Sequence, residues 1–260
     1  MIVGWLHTIS LWIIYPSTAL VVFAAAQLGC WLGLRSTDRG KEPVRSHITT
    51  IQSALLGLLA LLIGFTFALA LSRYDLRRTL VLDEANAIGT TALRAQFLPG
   101  DHPAKSIELL KAYTDTRFVY TPADDGPDRK AAAAGGKTLL QALWAEAVSA
   151  GTQDPKSVPV GLFTQSLNDV IDFNEKRRIA NHNRVPEVTF MLLFAMAAVA
   201  TGFTGYAAGL AGTRQTIPNA IMAVSIAVVI MLIADLDRPK GGLITVDQQA
   251  LTDVKNSFPK

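Results

Sequence analysis

Cysteine occurs once in the 260 residues, at Cys30, so the chain has no disulfide framework. Histidine is nearly as scarce. His7, His47, His102 and His182 lie far apart and show neither H-x-x-x-H nor Cys/His ligand spacing, which removes the common zinc patterns. A G-x-S-x-G elbow, a Walker loop and a dinucleotide fingerprint are all missing. The chain therefore offers no catalytic residues and no cofactor motif, and an enzyme is the weakest functional class. Charged residues make up only 17%. No run alternates apolar and polar residues at period two over a useful length, so strands have no signal.

What the chain has in abundance is apolar residues, half of the total, with a mean hydropathy of +0.30. They collect in four blocks at 9–34, 50–72, 188–212 and 216–234. At about 1.5 Å per residue, each is near the length that crosses a ~30 Å hydrocarbon layer. Between the second and third blocks lie 115 residues, 73–187, with fifteen Lys and Arg against fifteen Asp and Glu. That balance argues against a nucleic-acid partner, because phosphate binding needs a basic excess. The expected fold is an all-α membrane protein. Two transmembrane helices lie in 1–72, a helical insert in 73–187, two further spans in 188–234 and a tail in 235–260. The first block has no basic leader and its apolar run continues past residue thirty, so we expect a retained anchor. Trp12 or Tyr15, with Trp31, mark its interfaces, and Pro16 kinks or starts it.

The chain is organised around residues 50–98. Ser53 to Ser72 are twenty residues without a charge, and helix-compatible sequence then continues from Arg73 to Leu98 before Pro99-Gly100 stops it. This predicts one helix that crosses the membrane and runs on into water. Gly57, Ala60, Gly64 and Ala68 stack on one face, a row of small residues that admits a neighbouring helix closely. Gln52, Leu55, Leu59, Leu62, Thr66, Leu69 and Arg73 follow on the other face. With polar groups at Gln52, Thr66 and Arg73, that stripe either lines a water-filled axis in an oligomer or belongs to a buried helix whose threonine bonds its own backbone.

In the remainder, Arg35–His47 reads as a basic loop. Helices are expected at 104–120, at 130–150 with a break at Gly135-Gly136, and at 160–184, separated by turn-rich Thr121–Arg129 and Thr152–Pro159. Gly202, Gly205, Gly209 and Gly212 suggest close packing or an unwound tip on the third span. A short amphipathic tail ends the chain. Four spans put the insert and both termini on one side. That side has nine flanking basic residues (Arg73, Arg77, Arg78, Lys176, Arg177, Arg178, Arg184, Arg238, Lys240). The other has five (Arg35, Arg39, Lys41, Arg45, Arg214), so the insert is expected to face the cytoplasm.

Two acidic pairs stand out. Asp83 and Glu84 point about 100° apart on a helix, which suits salt bridges to Arg77, Arg78 or Arg94 better than shared-proton chemistry. Asp235 and Asp237 end the last span beside glycine-rich backbone. They are weak candidates for a cation such as Ca²⁺, set against pairing with Arg238 or with the Arg73–Arg78 cluster. No other metal ligands are proposed.

Three segments carry a resemblance. RYDLRRTLVLDEANAIGTTALRAQFLP (Arg73–Pro99), VGLFTQSLNDVIDFNEKRR (Val160–Arg178) and DLDRPKGGLITVDQQ (Asp235–Gln249) resemble a bacterial bestrophin-like membrane family, over residues from about 50 to 255. Bestrophins proper are pentameric ion channels with four spans per subunit. Their second span lines the pore, and a cytoplasmic helical region continues the conduit. The resemblance therefore implies a homo-oligomeric, pentameric channel of the bacterial inner membrane, whose partners are itself, membrane lipids and permeant ions. The acidic calcium-clasp run after the last span is missing, leaving Asp235, Asp237 and Asp247, so calcium gating is not implied. The rival expectation is a non-conducting scaffold or sensor whose insert recruits a partner.

Overall fold

The computed structural model of the protein describes residues 10–37, 41–119, 127–239 and 242–259. Among them, helices are the only regular elements: α1 (Leu11–Arg35), α2 (Glu42–Ala95), α3 (His102–Val119), α4 (Pro127–Gln153), α5 (Val158–His182), α6 (Glu187–Leu210), α7 (Thr216–Asp237) and α8 (Gln249–Ser257). Four helical stretches are long and apolar enough to cross a membrane. The chain divides into two compact units, one of residues 1–72 and 184–238 and the other of residues 73–183 and 239–260.

In the first unit, α1 begins where the Ser10 hydroxyl accepts from Trp12 N, an N-cap that satisfies an otherwise orphaned donor. Pro16 lies inside this helix rather than at its start. At the other end, Arg35 stacks 3.9 Å over the Trp31 ring. The α1 helix packs on α6 and α7, and its contact with α6 is backbone-close. A Cβ built at Gly29 would fall on Gly202 O, one at Gly33 on Tyr206 O, one at Gly205 on Ala26 O and one at Gly209 on Cys30 O. Glycines four apart on both helices create that approach, the small-residue route to association where lipid removes any hydrophobic drive. The Thr201 hydroxyl reaches across to Val22 O at 3.3 Å while also bonding Ala197 O at 2.7 Å. Gly212, at φ +74°, then ends α6, the left-handed cap that glycine adopts without strain.

Two expected boundaries moved. The basic loop is shorter than Arg35–His47, because α2 already begins at Glu42. Glu42 followed by Pro43 is a strong start signal, combining an acid at the positive helix end with a proline in the first turn. Arg39 lies outside the described residues. The α4 helix starts at Pro127 and passes through Gly135-Gly136 without a break. There the missing side chain serves packing, since a Cβ on Gly136 would lie 3.3 Å from Thr116 Oγ1. Residue 120, the end of the expected helix, and residues 121–126 of the expected loop lie outside the described residues, as do Trp5, His7, Lys240 and Gly241.

The second unit is built on α3, α4, α5, the 73–95 part of α2, and the tail. Ile88, Leu110, Tyr113, Leu143, Phe163, Leu167, Val170 and Leu251 are buried together at its core. Leu251 is the one fully buried residue of α8. Lys255 pairs with Asp115 at 2.6 Å, and Lys111 bonds Pro259 O at 3.0 Å, so the amphipathic tail closes over α3.

Candidate functional site

The span of α2 is held to its own unit by the leucine stripe. Leu59 is buried with Val22, Ala197, Ala200, Ala223 and Ile230, and Leu55 packs against the same cluster. Thr66 is buried as well, and its hydroxyl donates to Leu62 O at 2.7 Å. Gln52, Leu62 and Arg73 are half-buried, whereas Leu69 is 41% exposed. The stripe from Gln52 to Arg73 thus does not act as one face. Leu59 and Thr66 point into the protomer, with the Thr66 hydroxyl on its own backbone, as in the second of the two readings that the spacing left open. Leucine and threonine at 3–4 spacing fit an apolar helix seam as well as a pore wall, and here α1, α6 and α7 occupy that side.

The opposite face is open. Gly57, Ala60, Gly64 and Ala68 are all exposed, and nothing lies within 4 Å of where a Cβ would stand at Gly57 or Gly64. Leu61 and Phe65, on the same side, are 53% and 66% exposed. The apolar window of the α2 span is 17% buried, against 33% for each of the other three candidate spans.

The carboxylates that end α7 have a structural use. Asp235 and Asp237 are buried, and Asp237 Oδ1 accepts the Val185 N–H at 2.8 Å, tying the start of α6 to the end of α7. Burial pulls the Arg238 guanidinium below its ordinary pKa, the Asp235 and Asp237 charges oppose that, and Arg184 adds to it.

In the second unit Glu84 is the centre of a buried charge cluster. Tyr113 OH donates to its Oε1 at 2.7 Å, Arg117 Nε lies 2.9 Å from the same oxygen, and Arg177 Nη1 donates to Oε2 at 2.7 Å. Arg177 Nη2 continues to Gln248 Oε1 at 2.9 Å, and Gln248 Nε2 donates to Val246 O at 3.1 Å. Burial by itself pushes the Glu84 carboxyl up, but the two guanidinium charges and the hydrogen bonds outweigh it and hold it below the ordinary range. The Tyr113 phenol is pushed well above its usual value, first by burial and then by the Glu84 charge. Salt bridging is thus the role of Glu84, as the charge pattern suggested. These partners come from α3 and α5, not from the nearby arginines. Of the histidines, His102 is buried, with Nδ1 at 2.6 Å from Glu146 Oε2 on α4.

The family model of the bestrophin-like domain matches residues 20–251, a range that contains every element from α2 to α7 and most of α1. The chain belongs to the bestrophin-like family. Solved structures agree on the fold. Two single-residue variants of a bacterial bestrophin homologue from Klebsiella pneumoniae superpose with TM-scores of 0.69 and 0.70 at 14% identity. In both, 95% of this chain is covered, together with 96% and 97% of the other. No curated protein matches the sequence. Family and apolar helices together make this bestrophin-like chain an integral membrane protein. The open glycine face and the Glu84 cluster both fall inside the matched range.

Proposed function

We propose that the protein is a homo-oligomeric ion channel of the bacterial inner membrane, with α2 lining the conduit. One observation carries the reading: the α2 span is the least enclosed of the four, and the face it leaves open is Gly57, Leu61, Gly64, Phe65 and Ala68. Small residues on that face let copies of α2 approach one another. Leu61 and Phe65 would form narrow apolar rings, which resist wetting and can gate a pore. A pentamer is the assembly that bestrophin kinship favours.

Arg73 follows the span by one residue, is half-buried, and makes no ion pair among the described residues. Repeated around an axis it forms a ring of positive charge, which attracts anions and repels cations. The orientation follows the nine-to-five excess of flanking basic residues, with the 73–183 helices in the cytoplasm. Arg177 is engaged with Glu84 and contributes less to that excess than an exposed residue, which leaves the sign of the difference unchanged.

The test is current recording from purified protein in planar bilayers. A channel gives currents whose reversal potential shifts when Arg73→Glu is introduced. A protein of oligomeric size that gives no current in any variant is a scaffold, and the channel reading then fails.

A further inference from the structure

The second unit contains a cavity of about 680 Å³ where α4 and α5 diverge beside α3. That size is within the range of small-molecule sites. The walls are ordered along its length by helix direction. α4 and α5 are joined by the short 154–157 turn, and Gly151 faces Val160 near it, so the two helices run antiparallel. Gly136 faces Thr116 and His102 meets Glu146, so α3 runs antiparallel to α4 too. Lys137 on α4 therefore shares one end of the cavity with Arg117 on α3 and Arg178 on α5. Trp144, two turns further along α4, stands at the other end.

The lining chemistry divides in the same way. Among the described residues, Lys137, Arg117 and Arg178 line the cavity with one carboxylate, Glu175, which is held by Arg178 at 2.5 and 2.8 Å. Arg117 is engaged by Glu84 behind the wall, and Lys137 is exposed with no ion pair among the described residues. Gln141 and Asn174 also line it, each with one amide donor group and one acceptor. Leu140 and Ile171 line the same stretch, and the indole of Trp144, 41% exposed, stands one turn further along α4. A half-exposed indole beside apolar side chains is a stacking platform for a flat ring. Amides at mid-length suit the polar edge of a heteroaromatic ring, which a hydrocarbon body would leave unanswered.

We propose that this cavity binds a heteroaromatic organic anion, its ring on Trp144 and its acid group toward Lys137 and Arg178. The Lys137 and Arg178 side chains are exposed and their attraction is salt-sensitive, while the ring would also cover buried Leu140. Both are needed, since neither a surface cation pair nor one stacking contact holds a small ligand alone.

Adenosine 5′-monophosphate is the probe, titrated by equilibrium dialysis against the full-length protein in detergent, with adenosine and inorganic phosphate run separately. The expected result is saturable binding of the nucleotide, at least tenfold tighter than either fragment. It should weaken at least tenfold in Trp144→Ala and in Lys137→Glu, and remain unchanged in Val148→Ala, an exposed position one turn beyond Trp144. Trp144 and Lys137 are on the surface side of α4, so these variants keep the fold, which circular dichroism verifies. No saturable nucleotide binding, or binding that Trp144→Ala and Lys137→Glu leave untouched, overturns the assignment. The outcome is independent of whether the protein conducts.

Discussion

Glu84 and Arg177, 93 residues apart in sequence, meet at 2.7 Å with both side chains almost fully buried. Arg117 and Tyr113 complete the carboxylate's shell, so one acid joins α2, α3 and α5, and through Gln248 the tail. Removing one member of a buried pair leaves the rest unanswered in a poor solvent for charge, which costs about 3–5 kcal/mol. Glu84→Gln is therefore expected to lower the thermal midpoint strongly, read by unfolding in detergent, whereas Asp83→Asn, at a half-buried neighbour outside the cluster, changes it little. Equal midpoints for the two variants would sink the cluster's structural role.

The same carboxylate sets an acid limit. Its pKa in the folded chain is below the ordinary value, so the unfolded state binds the proton first. The stability it contributes is complete above the ordinary glutamate range and is lost as the pH falls through the folded value. Unfolding midpoints measured downward from neutral pH should fall on entering that window. Glu84→Gln should show a shallower fall over the same window; an identical pH slope in both proteins would contradict the assignment.

The contact between α1 and α6 gives a contrast between glycines. A Cβ at Gly205 collides with Ala26 backbone, while one at Gly64 meets nothing in the protomer. Gly205→Ala should destabilise by about 1–3 kcal/mol through overpacking. Gly64→Ala should leave the protomer's stability unchanged. If copies of α2 meet through the open face, Gly64→Leu will instead alter the size of the assembly on gel filtration. An unaltered size would assign that face to lipid.

These contrasts mark where sequence reasoning holds and where it stops. Lengths of apolar run and the Pro99-Gly100 stop were enough to place the long α2 helix and the later spans. The faces of α2 were not, because a 3–4 leucine stripe has the same spacing whether α1, α6 and α7 or water lies beside it. Gly29 and Gly33 carried a readable signal, since their four-residue spacing matches that of Gly205 and Gly209. The partners of Glu84 left no local trace. Arg117 and Arg177 are brought to it by tertiary packing alone, and nearer arginines at 77, 78 and 94 suited the helix geometry as well.

Orientation can be tested at a described and exposed position. Asp125, the natural loop site for labelling, lies outside the described residues, whereas Ser149 is exposed on α4. In a Cys30→Ala background, Ser149→Cys should resist an impermeant maleimide in intact cells and react after permeabilisation. Ready labelling of intact cells would reverse the proposed sidedness.

The last prediction separates the two sides of α2. Leu59 is buried among Val22, Ala197 and Ile230, so Leu59→Ala should behave as a core deletion, destabilising by about 2–5 kcal/mol. Any current that survives should keep its unitary conductance. Leu61 and Phe65 are exposed and bury nothing in the protomer that a smaller residue would leave empty. Leu61→Ala and Phe65→Ala should therefore leave the protomer's unfolding midpoint nearly unchanged. If these two side chains ring the conduit, each truncation widens a constriction that excludes water, and open probability or conductance rises. Single-channel recording alongside thermal unfolding distinguishes the cases. Conductance altered by Leu59→Ala but not by Leu61→Ala or Phe65→Ala would place the conduit on the leucine stripe after all. A change in stability confined to Leu59, with conductance changes confined to Leu61 and Phe65, would establish the open face of α2 as the wall of the pore.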